Sequence, residues 1–212
     1  MRLVTLFFLL LLLFSVACGQ TREEQIHFVD SALKRISNRI VEREASFTNQ
    51  IEQIQGVEQP SITMTSAAQE KYKYRETEYK KDIARYAAKK AELNMLSEDC
   101  RTHPNDNEKL ARLVEKVVAF STELGLKSSV NITSQYSNGT HTTGARVRFQ
   151  GDDERICGTV PRYSGGLTPC TESLNIGKYY FWTERSDKET SNKEYCKYII
   201  NPDEKVQLVE DR

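Results

Sequence analysis

The chain has no net charge, and neither half of it is dominated by one sign of charge. From residue 20 to residue 125 there are 17 Lys and Arg residues against 18 Asp and Glu residues, and from 126 to 212 the numbers are 12 and 12. A nucleic-acid-binding protein is expected to concentrate positive charge on one domain or face. We therefore expect no nucleic acid among the partners.

Catalytic signatures are also missing. The sequence contains three histidines, His27, His103 and His141, and none is placed as an obvious general base. It has no G-x-S-x-G, no H-E-x-x-H and no phosphate-binding glycine loop. Cys100 and His103 have the spacing of metal ligands, but no second Cys/His pair lies at zinc-finger distance. We expect no enzyme activity, no cofactor and no metal site; an exported hydrolase with scattered catalytic residues is the alternative.

A long hydrophobic run occurs once, at residues 3–14, directly after Arg2. Small residues follow the run, and charged sequence begins at Arg22. A short basic region, an apolar segment of roughly a dozen residues and small residues are typical of a secretory signal peptide. A transmembrane helix needs about 20 apolar residues. We therefore assign residues 1–19 to a signal peptide and expect the remainder to be exported.

The small residues directly before Cys18 resemble the lipobox of bacterial lipoproteins, with Ser15 where that motif usually has Leu, Val or Ile. The resemblance implies that Cys18 carries lipid, becomes the new N-terminus and anchors the protein to a membrane of the cell envelope. Cleavage after Ala17 or after Gly19 would instead release a secreted protein. Anchoring through Cys18 is the favoured prediction, and secretion is the alternative.

Residues 20–125 have the composition and periodicity of helices. Apolar side chains recur at gaps of three and four in three segments, and Thr21 with Glu24 forms a capping-box pattern before the first. Three amphipathic helices cannot bury their faces singly, so we expect a helical hairpin or three-helix bundle. An intermolecular coiled coil, and with it a homo-oligomer, is the alternative use of the stripes. The stripes are Ile26, Val29, Leu33, Ile36, Ile40, Phe47, Ile51 and Ile54; Tyr72, Tyr79, Ile83, Tyr86, Leu93 and Leu96; and Leu110, Leu113, Val117, Phe120 and Leu124.

After Gly125 the sequence pattern changes from that of helices to that of strands and turns. Residues 126–144 are rich in Ser, Thr, Asn and Gly, which predicts a linker or an exposed hairpin. Asn131 and Asn138 each begin an N-glycosylation sequon, which would mark surface sugar in a eukaryotic secreted protein and has no meaning in a bacterial lipoprotein.

Residues 145–212 resemble a PEGA-type or carboxypeptidase-regulatory-like β-sandwich domain. The resemblance covers about a third of the chain and implies a small antiparallel sandwich that binds another protein or an envelope polymer. It rests on a first strand with alternating apolar residues, a Thr-Pro turn, a strand ending in Leu, a Gly-Lys-Tyr turn into an aromatic strand, and a valine-rich closing strand. The residues concerned are Ala145, Val147, Phe149, Thr168, Pro169, Cys170, Ser173, Leu174, Gly177, Tyr179, Phe181, Val206, Leu208 and Val209.

The aromatic run at residues 179–182 has two interpretations. Aromatic residues at successive positions are expected in a strand that is covered on both faces. Alternatively, the four aromatic residues would line a sugar or peptide site, with Tyr180 and Trp182 as the candidate binding surface. The strand-core interpretation is favoured.

Four cysteines remain after Cys18, an even number that suits an oxidising compartment. They allow three pairings, and the sequence does not choose among them. We favour Cys157 with Cys170, which would contribute about 3 kcal/mol on the chain-entropy model, and then Cys100 with Cys196.

These observations predict an α+β protein, with an N-terminal helical hairpin or three-helix bundle followed by a small antiparallel β-sandwich. Its expected function is that of a non-enzymatic exported protein, a membrane-anchored envelope lipoprotein whose sandwich binds another protein or an envelope polymer. A secreted eukaryotic glycoprotein that oligomerises through its helices is the first alternative, and an exported hydrolase is the second.

Overall fold

The computed structural model describes residues 21–56, 66–151, 163–184 and 195–210. These residues form three helices followed by eight strands, so the predicted α+β fold with N-terminal helices is confirmed. The helices are α1 (Arg22–Gly56), α2 (Ser66–Thr102) and α3 (Asn107–Glu123). The strands are β1 (Lys127–Tyr136), β2 (His141–Thr142), β3 (Arg146–Gly151), β4 (Tyr163–Leu167), β5 (Cys170–Asn175), β6 (Gly177–Glu184), β7 (Tyr195–Ile199) and β8 (Asp203–Glu210).

The first helix begins with the predicted capping box. The Thr21 backbone N–H donates to Glu24 Oε2 at 3.0 Å, and the Glu24 N–H donates to Thr21 Oγ1 at 3.2 Å. These bonds satisfy two N–H groups at the helix start that have no partner within the helix.

The third helix is capped by Asp106, whose side chain accepts from the Lys109 N–H, and it is followed by Gly125 at a φ of 69°. Such a left-handed residue commonly ends a helix.

The three helices form an antiparallel bundle. The pair Asp30–Arg101 and the pair Arg43–Tyr86 show that α1 and α2 run in opposite directions. Helix α3 turns back along α2, since its residue Lys116 pairs with Glu92 of α2. The apolar stripes predicted from the sequence supply much of the buried interior, and their fully covered members are Val29, Leu33, Ile36, Ile40, Tyr86, Leu93, Leu110, Leu113, Val117, Phe120 and Leu124.

The strands form two four-stranded sheets. Sheet 1 is built around β1, which pairs with β2 and β5 in antiparallel fashion and with β8 in parallel fashion. Sheet 2 has the order β4-β3-β6-β7 and is antiparallel throughout. The prediction of an antiparallel sandwich therefore needs one correction, because the closing strand β8 runs parallel to β1 and makes sheet 1 mixed.

One apolar core is formed by side chains from both sheets, which makes the strands a β-sandwich. The alternation of Val147 and Phe149 predicted for β3 is confirmed, because both are buried in this core. Every second residue of a strand faces the same side, so core members from one strand are two positions apart. The core residues are Val130, Ile132, Val147, Phe149, Leu174, Phe181, Ile199, Val206 and Leu208.

The sandwich begins earlier in the chain than the sequence predicts. Residues 127–136, expected to be a linker or exposed hairpin, form β1, the strand to which the other three members of sheet 1 pair. Val130 and Ile132 are fully buried in the core. Asn131 and Thr133 alternate with these apolar residues and lie on the outer face, whereas Ser128 and Ser134 are each 1% exposed on the inner side. Residues 137–142 do form a hairpin turn, with Gly139 at a φ of 84°.

The chain divides into two compact units. One contains residues 29–126, and the other combines the start of α1, as far as Phe28, with the strands from Lys127 onward. None of the helices within the described ranges is sufficiently long and apolar to cross a membrane.

Candidate binding surface

Strand β6 presents its aromatic residues alternately to the two faces of sheet 2. Phe181 is fully buried in the sandwich core, and Tyr179 packs against that core. Tyr180 and Trp182 point to the opposite, outer face, because side chains alternate along a strand. The two interpretations of the aromatic run thus apply to different residues: Phe181 is core, and the outer pair is the candidate binding surface.

The accessible part of this outer face lies around Trp182. Trp182 is half-buried, and the residue opposite it on β3 is Arg148. Arg148 Nε donates to Glu184 Oε2 at 2.8 Å, with 21% of the Arg148 side chain and 39% of the Glu184 side chain exposed. Arg146, opposite Glu184, is exposed. We call Arg146, Arg148, Trp182 and Glu184 the Trp182 face.

The other half of the outer face is covered. Tyr180 is 8% exposed, and Gln150, its neighbour on β3, is 7% exposed. Lys178 Nζ lies 5.3 Å from the centre of the Tyr180 ring, a cation–π distance. Further along, Tyr198 stacks on Phe28 with ring centres 4.3 Å apart. Tyr180 is therefore a packing residue, and half-buried Trp182 is the more exposed of the two predicted binding residues.

Among the described residues of β1, β5 and β8, the outer face of sheet 1 is polar except for Val209, which is 47% exposed, and it has no aromatic side chain. Asn131, predicted as a glycosylation site, is exposed at the middle of β1, and its Oδ1 accepts from the Thr171 hydroxyl at 2.7 Å. Gln207 donates to Gln135 in the same way across β8 and β1. The hydrogen-bonding capacity of this face is thus partly used by cross-strand pairs.

Asn138, the second predicted glycosylation site, has a different position. It lies in the exposed turn between β1 and β2, where its Oδ1 accepts from the Thr140 N–H at 3.0 Å. This is a local turn contact of the kind that Asn side chains often make. The Nδ2 atom that would carry sugar is at the tip of a hairpin.

The predicted cysteine sites are only partly within the described residues. Cys18, the predicted lipid attachment residue, and Cys157 lie outside them. Cys100 is buried near the end of α2, and Cys196 is half-buried in β7. No disulfide joins Cys100 to Cys196 in the structure, so this pairing stays a prediction.

Cys170 begins β5 in a partly enclosed position. Burial raises the pKa of its thiol, the nearby Glu172 carboxylate adds to that effect, and a backbone hydrogen bond to Gly166 opposes it. A raised pKa keeps the sulfur protonated near neutral pH and makes it a poor nucleophile. Cys170 is a free cysteine in the structure, and its pairing with Cys157 stays a prediction.

No protein-family model matches this chain, and no curated protein matches it in sequence. Part of the chain is similar to two solved structures. A Streptococcal ancillary pilin matches over 40% of this chain at 9% identity and a TM-score of 0.26. The Bacillus anthracis TIE protein matches over 41% at 11% identity and a TM-score of 0.30. The chain covers 32% of the pilin and 18% of the TIE protein, well under two thirds of either.

Two buried polar sites are not predicted by the sequence. Glu204 is 5% exposed; its Oε1 accepts from the Ile200 and Asn201 N–H groups, and its Oε2 lies 2.7 Å from Lys197 Nζ. At the other end of β8, Glu210 is 1% exposed and accepts from the Thr142 hydroxyl at 2.6 Å.

Hydroxyl groups extend the Glu210 site. Ser134 Oγ lies 2.6 Å from Thr142 Oγ1 and donates to Thr168 Oγ1 at 2.8 Å. Ser134 and Thr142 pair within one hairpin, but Thr168 and Glu210 are distant in the sequence, so no local pattern could have grouped all four. Both sites satisfy buried polar groups internally, which is what the stability of a small sandwich requires.

Within the described ranges, no set of three His, Cys, Asp or Glu side chains is arranged to hold a metal ion.

Proposed function

We propose that this protein is an exported, non-enzymatic protein of the cell envelope whose sandwich binds an acidic polysaccharide at the Trp182 face. The secretory leader supports export, and the lipobox-like residues before Cys18 support a lipid anchor. The observation that carries the binding proposal is the cross-strand pair of Trp182 and Arg148 on an accessible part of sheet 2.

The chemistry of this pair suits an anionic sugar chain. An indole offers a flat apolar surface on which the C–H face of a sugar ring can lie. A guanidinium presents a fixed fork of N–H donors that matches carboxylate or phosphate oxygens. Arg146 adds a second exposed guanidinium beside the first. The hydrogen bond from Arg148 Nε to Glu184 fixes the orientation of the Arg148 guanidinium and of its other N–H donors.

The size of the face favours a polymer over a protein as the ligand. A stable protein interface buries about 800 Å² on each partner and involves 20 to 30 residues. Within the described residues, the Trp182 face comprises four side chains beside a half of the sheet that is already covered. A linear chain needs only a narrow strip with an aromatic platform and flanking charges. Binding of another protein through the same face is the competing outcome of the experiment below.

Trp182 is the only tryptophan of the chain, so its fluorescence reports on this face alone. We expect the emission of the exported protein to change on titration with polygalacturonate, a carboxylate polymer, and not with neutral dextran. Arg148→Ala should weaken polygalacturonate binding about tenfold or more, because a hydrogen bond to a charged group is lost. Arg148→Lys should restore only part of it, since an ammonium lacks the guanidinium fork.

Lys205→Ala is the matched control, because Lys205 is an exposed cation on the outer face of sheet 1. It should bind the polymer as the unaltered protein does. Equal losses in the Lys205 and Arg148 variants would reduce the effect to general charge attraction. An unchanged Trp182 emission with every polymer, together with a protein partner whose retention depends on Arg148, would replace the polysaccharide by a protein ligand.

The anchor is tested separately, by mass spectrometry of the mature N-terminus. A diacylglycerol thioether on Cys18 would support the envelope lipoprotein, and a free or cyclised Gln20 would support secretion. The PEGA-type resemblance and the absence of enzyme activity both stay predictions. A secreted glycoprotein and an exported hydrolase are the alternatives; sugar on the protein from its native source would favour the first.

A further inference from the structure

Helix α3 covers only part of the hairpin formed by α1 and α2. Its C-terminal end lies level with Arg43, which donates to the Leu124 carbonyl at 3.2 Å, and with Arg85, which pairs with Glu123 at 3.2 Å. Beyond this level α1 continues to residue 56 and α2 begins at residue 66. At 1.5 Å per residue, these extensions are about 20 Å and about 28 Å long. We call residues 41–56 and 66–85 the distal hairpin.

The apolar stripe of α2 continues into the distal hairpin, where α3 no longer covers it and its residues are less buried. Alongside α3, the stripe residues Tyr86 and Leu93 are 6% and 4% exposed. The next stripe positions, Ile83 and Tyr79, follow at gaps of three and four and are only half-buried. A stripe sustained at these gaps is the pattern of helices that pack along their whole length. The change in burial follows the end of α3 and not a change in the sequence pattern.

Helix α1 shows the same change. Ile36 and Ile40 are 0% and 6% exposed, whereas Phe47, one turn beyond Arg43, is half-buried. Phe47 stacks on Tyr79 with ring centres 3.6 Å apart, so the two helices contact each other in the distal hairpin. When two helices pair alone, each apolar stripe is buried on one side only. In a four-helix bundle, each stripe would be buried on both sides.

The two segments of the distal hairpin carry opposite net charges. Residues 41–56 of α1 contain three acidic residues and one basic residue, a net charge of −2. Residues 66–85 of α2 contain six basic and four acidic residues, a net charge of +2. A two-fold symmetric pairing repeats each contact and allows α1 of one copy to face either α1 or α2 of the other. The opposite net charges favour the arrangement in which α1 of each copy faces α2 of its partner. Both contacts would then join opposite charges.

We infer that the distal hairpin is a self-association surface, on which a second copy of this chain packs its own distal hairpin to form a four-helix bundle. The helices meet in alternation, with α1 of one copy against α2 of its partner. This inference does not depend on the ligand proposed for the sandwich, because the residues that carry it lie in the helical unit alone.

The experiment exchanges the charges of the two helices in the full exported chain. Glu42→Lys with Glu44→Lys changes the α1 segment from −2 to +2, and Lys71→Glu with Lys73→Glu changes the α2 segment from +2 to −2. All four side chains are exposed. In sedimentation equilibrium, each double variant alone should dimerise about tenfold more weakly than the unaltered chain, because like charges then meet at both contacts. An equimolar mixture of the two should recover the affinity as a heterodimer.

Glu98→Lys with Glu115→Lys is the control, since both side chains are exposed and lie outside the distal hairpin. It should leave the dimer unchanged. Circular dichroism melts show whether each variant still folds, and the heterodimer itself requires folded variants. A chain that is monomeric at every concentration would overturn the inference. So would a dimer that persists in both charge-reversed variants, or a mixture that does not associate more tightly than its components.

Discussion

Arg148 and Trp182 lie opposite each other on the antiparallel strands β3 and β6, on the outer face of sheet 2. Strands β4 and β5 lie between them in the sequence. On the inner side of the same strands, Phe149 and Phe181 form the corresponding pair. One strand pair thus supplies both part of the core and the candidate binding surface.

Adjacent residues of β6 should therefore respond differently to truncation. Phe181→Ala removes a fully buried ring from the core, and we expect it to lower the free energy of unfolding by about 3 to 5 kcal/mol. Trp182→Ala removes a half-buried ring and should cost less than half as much while abolishing polygalacturonate binding. Urea unfolding followed by circular dichroism measures both. Similar losses of stability in the two variants would contradict the assignment of the two faces.

Glu204 should make the sandwich sensitive to acid. Burial of the Glu204 carboxyl disfavours its charged form, but hydrogen bonds from Lys197 and from the Asn201 and Ile200 N–H groups outweigh burial and hold its pKa below the ordinary value of 4.5. A lowered folded-state pKa gives stability that is present above about pH 4.5 and is lost as the pH falls through the folded-state pKa. The melting temperature should therefore decline below about pH 4.5.

Glu204→Gln is the variant that tests this pH dependence. It should be less stable than the unaltered chain at pH 7, by about 2 kcal/mol, because hydrogen bonds to a charged acceptor become bonds to a neutral one. The difference in melting temperature between the two proteins should shrink as the pH is lowered. A difference that stays constant from pH 7 to pH 3 would show that Glu204 does not titrate with folding.

The hydroxyl group of Thr142 should stabilise the end of sheet 1. Thr142→Val keeps the side-chain shape but removes the hydroxyl that donates to buried Glu210 and contacts Ser134. We expect a loss of about 2 kcal/mol in unfolding free energy, because a buried acceptor is left with one donor fewer. Thr133→Val, on the outer face of β1, is the control and should change stability by less than about 0.5 kcal/mol. Equal effects would show that the buried hydroxyl has no special role.

Asn138 should be a better acceptor for sugar than Asn131. Asn138 is at the tip of the β1–β2 turn, whereas Asn131 is in the middle of a strand and accepts from Thr171. When the chain is expressed through a eukaryotic secretory pathway, Asn138→Gln should remove most of the glycosidase-sensitive mass, and Asn131→Gln should remove little. The reverse result would show that sugar is attached to Asn131 before β1 folds.

The predicted bridge between Cys157 and Cys170 is open to direct measurement. Peptide mapping of the exported protein without reductant should recover the two cysteines in one linked peptide. Cys170→Ser should then lower the unfolding free energy by about 3 kcal/mol, the chain-entropy value for a loop of this length. A linked peptide that contains Cys170 with Cys100 or Cys196 instead would establish one of the other two pairings.

The helical part of the fold follows closely from the sequence, because its signals are local. Thr21 and Glu24 predict the start of α1 from a spacing of three residues, and the structure contains both hydrogen bonds of that pattern. Leu110, Leu113, Val117 and Phe120 recur at gaps of three and four, and all four are buried. In each case, the interacting residues lie within one or two helical turns of each other.

The first strand was the main failure of prediction. Its apolar residues Val130 and Ile132 are separated by polar ones, and the surrounding Ser, Thr and Asn residues suggested a linker. What makes β1 a central strand is its pairing with β5 and β8, whose residues come about 40 and about 75 positions later in the sequence. The parallel pairing with β8 could not be predicted from alternation either, because alternation fixes which side chains share a face and not which strand lies beside which.

The sequence by itself determined the helices, their caps, the apolar stripes and the alternation in β3 and β6, because each depends on residues close together in the chain. Tertiary structure alone decided that Arg148 lies beside Trp182, that Tyr180 is covered, and that Glu210 meets Thr142. These relationships depend on strand register and on sheet packing. Both are set by the simultaneous burial of distant apolar residues in one core, which no local pattern specifies.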